Sequence, residues 1–472
     1  MNNGCKNALR TKALMGMSLI APMALADNSL NQRDDINSDV NLRQKAEMQV
    51  TPGFVEGSSF RGLLRNYYQS RDNHEPGSRD PKEWVQGVFL SFRSGYTDTP
   101  IGVGLDVHGF YGLKLDGGDG SGGVLAMPLN SKGEPESEFS AAGAAVKFRG
   151  LGSLMIAGDQ IVENPVAGGG MGRVFPQTLR GISLRNYSVE NLTLDAGWVD
   201  AFRLRNQSGR SDLTSNYGSR NKAGELADTE SSSLSWLGAS YSAPQSFSLQ
   251  LYTGRFSDIW QQSYAGISWP LQLTPQWSLT PFANLYHTRD TGSSQLGRID
   301  NDTYSGGLTV AGHGHSLTFS VQKVDGNTPF DYLSQYDRTF LYLPNSQQYS
   351  DFNAPGELSW KLQYAANLGF IGAPDFQFTA SYARGEADLT KVDPNSKGYG
   401  YIYNADGKDG KHWERDLGLR YAVPSGKAKG LTVTARWATH RNGQGYTASG
   451  NTRGNADADE YRVVVDYPFS IF

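Results

Sequence analysis

The sequence predicts an all-β fold, a transmembrane antiparallel β-barrel, on three observations. Apolar and polar residues alternate with period two over runs of about ten residues. The runs are joined by connections of two distinct lengths. Nothing beyond residue 26 is long and apolar enough to form a membrane helix, which takes roughly 18 residues.

Residues 1–26 read as a secretory signal peptide. Lys6, Arg10 and Lys12 form a basic start, Ala13 to Ile20 a short apolar stretch, and Ala24-Leu25-Ala26 a small-x-small cleavage pattern. Cys5, the sole cysteine, lies inside this segment, so a mature chain starting at Asp27 carries no disulfide and no thiolate metal site. Residues 27–50 are expected to form an N-terminal periplasmic segment in which 39–49 can make a short helix, and 51–472 the barrel.

The strand signal recurs along the chain. Phe247, Leu249 and Leu251 alternate with Ser246, Ser248, Gln250 and Tyr252, and Phe376, Phe378, Ala380 and Tyr382 with Gln377, Thr379 and Ser381. Leu417, Leu419, Tyr421 and Val423 alternate with Asp416, Gly418, Arg420 and Ala422. After a turn holding Gly426 and Gly430 the pattern resumes in Leu431, Val433, Ala435 and Trp437. Tyr461, Val463, Val465, Tyr467, Phe469 and Ile471 form a closing apolar face, with Phe472 on the other parity. Pro468 has no ladder donor, so a bend or strand end is expected there.

Short turns fall at 188–191, 274–276, 311–315 and 424–430, and long polar segments near 70–82, 116–139, 206–233, 322–357 and 388–412. Short periplasmic turns and long extracellular loops are the usual barrel arrangement. A soluble sandwich would have shorter strands, and a propeller would repeat every ~40–50 residues, a repeat not seen here. Glycine makes up 56 of 472 residues, roughly 12% against a usual value near 7%, and aromatics reach 11%. That composition suits a barrel, in which only every second strand residue meets lipid.

Leu63-Leu64-Arg65-Asn66-Tyr67-Tyr68, Gly112-Leu113-Lys114-Leu115-Asp116-Gly117-Gly118 and Phe175-Pro176-Gln177-Thr178 occur in that order. Gly326-Asn327-Thr328-Pro329-Phe330-Asp331-Tyr332, Gln348-Tyr349-Ser350-Asp351-Phe352-Asn353, Ala438-Thr439-His440-Arg441 and Tyr467-Pro468 follow. In these stretches the chain resembles the OprD family of substrate-specific porins over essentially its whole mature length. The resemblance implies about 18 strands with both ends in the periplasm and two loops folded inward as a constriction. It implies a ladder of Arg and Lys that guides a solute carboxylate, faced by an acidic or hydroxyl-bearing patch. Family members pass basic amino acids, or aromatic and aliphatic carboxylates, and stand in outer-membrane lipid as monomers or loose homotrimers.

Charge parity tests that picture independently. On the parity opposite the apolar face lie Arg61, Arg65, Lys147, Arg149, Arg203, Arg205, Lys361, Arg420, Arg436 and Arg462. Asp106, Asp195 and Asp466 are the clear acids of that parity. Yet the chain is net −4, and 43 bases less the three in the signal leave 40 against 47 acids. The acids are therefore expected mostly in loops and the bases in the lumen, an interior that favours anions. Arg61, Arg65, Lys361, Arg420, Arg436 and Arg462 are the candidate ladder, although any one of them could simply pair with a neighbouring acid. The family often carries two alternate arginines before the Ala-Thr-His-Arg stretch, where this chain has Thr434 and Arg436.

By the same resemblance, Tyr349, Ser350 and Asp351, with Asp331 and Tyr332, are candidates for the facing pocket, unless Asp351 merely caps a turn. Gly168, Gly169 and Gly170, followed by Phe175 and Pro176, belong to the constricting loop, where glycine permits a tight turn. Asp116-Gly117-Gly118-Asp119-Gly120 lacks the repeat that glycine-aspartate calcium sites require. His313 and His315 lack a third metal ligand. There is no Gly-x-Ser-x-Gly elbow and no basic-aromatic interleaving for nucleic acid. The expected function is passive, substrate-selective transport of small carboxylate-bearing solutes, amino acids or related organic acids, with no cofactor, no metal and no catalysis. An outer-membrane barrel hydrolase or an adhesin-type structural barrel is the alternative.

Overall fold

The computed structural model describes residues 40–49, 53–75, 78–116, 122–168, 171–218, 229–243, 247–335, 341–443, 445–446 and 457–472. Residues 1–26, expected as a signal peptide, and Gly169 and Gly170 lie outside these residues. A helix α1 (Val40–Glu47) precedes β1 (Ser59–Asn73), β2 (Lys82–Arg93), β3 (Gly102–Lys114), β4 (Glu138–Gly150), β5 (Ser153–Gln160) and β6 (Thr178–Asn186). There follow β7 (Leu192–Arg203), β8 (Leu234–Ser242), β9 (Ser248–Phe256), β10 (Trp260–Ser268, resumed at Leu271–Gln272), β11 (Trp277–Asp290) and β12 (Asp300–Gly312). The last six are β13 (His315–Gly326), β14 (Leu358–Asn367), β15 (Phe376–Ala387), β16 (Gly410–Ala422), β17 (Thr432–Asn442) and β18 (Ala458–Ser470).

Each strand pairs antiparallel with the next, and β1 pairs back onto β18 from Arg61↔Ser470 to Asn73↔Ala458. The result is a closed eighteen-stranded barrel with no unpaired edge. Pro270 interrupts β10 because it has no N–H to give the ladder, yet both parts of the strand pair with β11. The strand ends joined by 151–152, 187–191 and 313–314 lie with α1 and Phe472 at one end of the barrel, and those joined by 115–137, 161–177, 204–233 and 327–357 at the other.

Alternation turns one apolar row of each strand outward. Leu64, Trp84, Leu237, Phe319, Trp360 and Val463 are exposed, whereas Arg65, Val85, Trp236, Ser320, Lys361 and Arg462 beside them are buried. An exposed belt of such side chains is what lipid requires of a barrel.

Of the bend or strand end expected at Pro468, the strand end does not occur. Leu63 pairs with Pro468, and β18 runs on to Ser470. The Ile471 N–H donates to the Phe60 carbonyl at 2.8 Å, so residues of odd number turn their N–H groups toward β1. Pro468 therefore points its missing donor toward β17, whose pairing with β18 has already ended at Thr432↔Asp466. No hydrogen bond is lost there.

Candidate functional site

The inner faces of β14 to β18 and of β1 carry the candidate ladder. Arg436 and Arg462 are direct partners across β17 and β18, and Arg420 faces Thr434 across β16 and β17. Arg420 donates to the Gln377 side chain at 3.2 Å, and Lys361 Nζ to the Ser346 carbonyl at 3.2 Å. Arg65 grips Asp466 bidentately, at 2.6 and 2.8 Å, and also donates to the Arg173 carbonyl at 2.7 Å. Arg462 pairs with Glu460 through Nε at 2.7 Å and reaches the Gln348 carbonyl at 3.0 Å. Arg61 lies apart, near the short-turn end, lining a cavity with Arg93 and Lys147.

Two long loops lie against this wall. In 161–177, Phe175 stacks on Phe110 of β3 with ring centroids 4.8 Å apart and meets Phe139 of β4 edge-on at 5.4 Å. Glycines make the space. A Cβ on Gly87 of β2 would meet Val174 at 2.5 Å, and one on Gly112 of β3 would come 2.7 Å from Phe139 and 3.0 Å from Phe175. Pro176 is buried beside Phe175, and Gln177 donates to the Ser334 carbonyl at 2.8 Å, tying the two loops together. Gly168 makes a bridge with Glu163 within the same loop.

In 327–357, the Tyr349 and Ser350 N–H groups each donate to the Glu414 carboxylate of β16 at 2.7 Å, and the Gln348 N–H to Asp416 at 2.8 Å. The Tyr349–Ser350 stretch thus sits on the late strands, beside Lys361 and Arg462. Asp351 accepts from the Tyr332 and Ser346 hydroxyls, both at 2.6 Å. Asp331 accepts from the Tyr217 and Tyr332 N–H groups at 3.0 and 2.8 Å and from the Tyr399 hydroxyl at 2.8 Å. Burial pushes the Asp331 carboxyl up nonetheless. Both acids are deeply buried and knit the loop to its neighbours.

Several residues of the inner wall escape a reading by parity alone. Glu83 of β2 accepts four backbone N–H bonds, from Gly123, Val124, Ala126 and Met127, at 2.8 to 3.1 Å. Glu414 and Glu460 join Asp195 and Asp466 as buried wall acids beside the half-buried Asp106, so the lumen holds more carboxylates than expected. Each is answered locally: Glu460, for instance, binds Arg71 at 2.7 Å as well as Arg462. Arg71 and Arg185 could have been found, since they continue the parities of Arg65 and Ser183. Glu83 could not, because β2 is apolar on both faces, with Val85 and Phe89 inside among Leu63, Tyr67 and Phe175.

A closed barrel with an apolar outer belt and a charged, loop-lined inner wall defines an outer-membrane channel protein. Residues 52–471 match the family model described as outer membrane porin, OprD family, and the chain belongs to that family. Porin D of Pseudomonas aeruginosa is 37% identical over 443 residues, 92% of this chain and 95% of the relative. The crystal structure of Pseudomonas aeruginosa OpdK with vanillate matches at a TM-score of 0.77 and 30% identity, covering 89% of this chain and 100% of that one. Pseudomonas aeruginosa OprD matches at a TM-score of 0.73 and 34% identity, over 90% of this chain and 98% of the other. The protein is thus an outer-membrane porin, not an enzyme.

Proposed function

We propose that the barrel passes small carboxylate-bearing solutes, amino acids or related organic acids, along Arg61, Lys361, Arg420, Arg436 and Arg462, with Arg65 bracing the wall beside them. The register Arg436↔Arg462 carries the reading. Like charges directly opposite on neighbouring strands destabilise a sheet, so a wall that keeps them suits an anion that bridges both. That a relative was crystallised with vanillate, an aromatic carboxylate, supports the solute class.

In this reading the loops 161–177 and 327–357 narrow the pore, the first with Gly168, Gly169, Gly170, Phe175 and Pro176. Tyr349, Ser350, Asp351, Asp331 and Tyr332 brace, from within the loop, the polar side that meets a solute's amino or hydroxyl group. The short-turn end faces the periplasm, residues 1–26 are removed on export, and the barrel stands as a monomer or loose homotrimer.

Single-channel recording with vanillate tests the reading. Removing one charge-assisted hydrogen bond is worth about 1.5 kcal/mol, so Arg436→Ala and Arg462→Ala should each weaken current block roughly tenfold. Block equal to that of the unaltered protein in both variants would overturn the proposed ladder.

A further inference from the structure

The helix α1 does not stand clear of the barrel. Met48, just beyond it, packs on the buried cluster of Tyr96, Ala145, Leu154 and Ile156, and Gln44 accepts from Arg185 Nη1 at 2.7 Å. Glu47, the last residue of α1, enters a basic recess at the short-turn end. Its Oε2 accepts from the Tyr96 hydroxyl at 2.6 Å and from Lys147 Nζ at 3.1 Å, while Arg93 lies 3.9 Å from Oε1. Arg149 donates to the Glu47 carbonyl at 2.7 Å. Both Lys147 and Arg149 rest over the Tyr96 ring, at 4.8 and 4.2 Å from its centroid. Asp106, at 2.8 Å, shares Lys147.

Three features make this recess more than a clasp for the helix. The donors on Glu47 are a hydroxyl, an ammonium and a nearby guanidinium, the set that holds a free carboxylate. A cavity of about 180 Å³ opens beside it, lined by Arg61, Arg93, Tyr96, Lys147 and Ser91, with room for a small anion. Burial raises the Glu47 carboxyl, but Lys147 and then Arg93 outweigh it and hold it below its ordinary value.

We propose that Tyr96, Lys147 and Arg93 form a second carboxylate-binding site at the short-turn mouth of the barrel, and that Glu47 occupies it as a tethered competitor. The inference rests on the proposed function only in taking the competing ligand to be a transported acid. A solute carboxylate reaching this mouth exchanges with Glu47, and the helix returns to the site when the solute leaves. A ligand that must displace a resident group binds more weakly by the fraction of time the site stands open.

Calorimetric titration of the full-length, detergent-solubilised barrel with benzoate tests this. If the site stands open about a tenth of the time, Glu47→Ala and Glu47→Gln should bind benzoate roughly tenfold more tightly than the unaltered protein. Adding Lys147→Met to Glu47→Ala should abolish that gain, with heat-resistant gel migration reporting that the barrel is still folded. Unchanged or weaker binding in both Glu47 variants would overturn the proposal, and so would a gain that survives loss of Lys147. A protein that gives the expected binding pattern yet carries no current would remove the channel reading and leave the site standing.

Discussion

Arg65 and Arg462 sit on neighbouring strands and hold their charge in different ways. Arg65 is locked to Asp466 by two short hydrogen bonds, with both side chains less than a tenth exposed. Arg462 shares Glu460 with Arg71 and stands opposite a second guanidinium, that of Arg436. The first arrangement braces the wall where β1 closes on β18, and the second sets two guanidinium groups face to face. Breaking a buried pair from one side strands the other charge, at a cost of about 3 kcal/mol. Asp466→Asn should therefore lower the urea midpoint of barrel unfolding while leaving vanillate block within about twofold of the unaltered protein, because a charge-assisted contact to solute would be worth more. A large loss of block with unchanged stability would place Arg65 among the solute-binding residues instead.

Strands, turns and the two loops show what a sequence can carry. The alternation of Leu417, Leu419 and Tyr421 with Gly418 and Arg420 needs only neighbours in the chain, and β16 forms as it predicts. Pro468 was misleading for the opposite reason: whether its missing donor matters depends on where β17 stops, three-dimensional information absent from residues 461–472. The candidate site was legible in part. Lys361, Arg420, Arg436 and Arg462 follow from strand parity, but the carboxylate of Glu414 under Tyr349 and Ser350 joins segments more than 60 residues apart. The seat of Phe175 likewise depends on Gly87 and Gly112, whose role appears only when the loop is placed against them. A valine at position 112 would overpack that seat by about 2 kcal/mol, less than the barrel needs to unfold but enough to dislodge the loop. Gly112→Val should raise single-channel conductance if 161–177 narrows the pore, and an unchanged conductance would show that it does not.

Closure of eighteen strands fixes the whole molecule's electrostatics. The chain is net negative, yet the acids on the inner wall are consumed locally: Glu83 by four backbone N–H groups, Glu414 by two, Glu460 and Asp466 by arginines. The basic row of Arg61, Lys361, Arg420, Arg436 and Arg462, with Lys147 and Arg93 near the short-turn mouth, then sets the sign of the interior. An interior of that sign should let anions enter ahead of cations, with weak binding that permits both entry and exit. The most direct test is the zero-current potential of the purified barrel in a planar bilayer under a potassium chloride gradient. The structure predicts a potential of the sign set by chloride, moving toward zero as vanillate is added to either side. A potential set by potassium would contradict the basic-wall account and assign control of the pore to the loop acids.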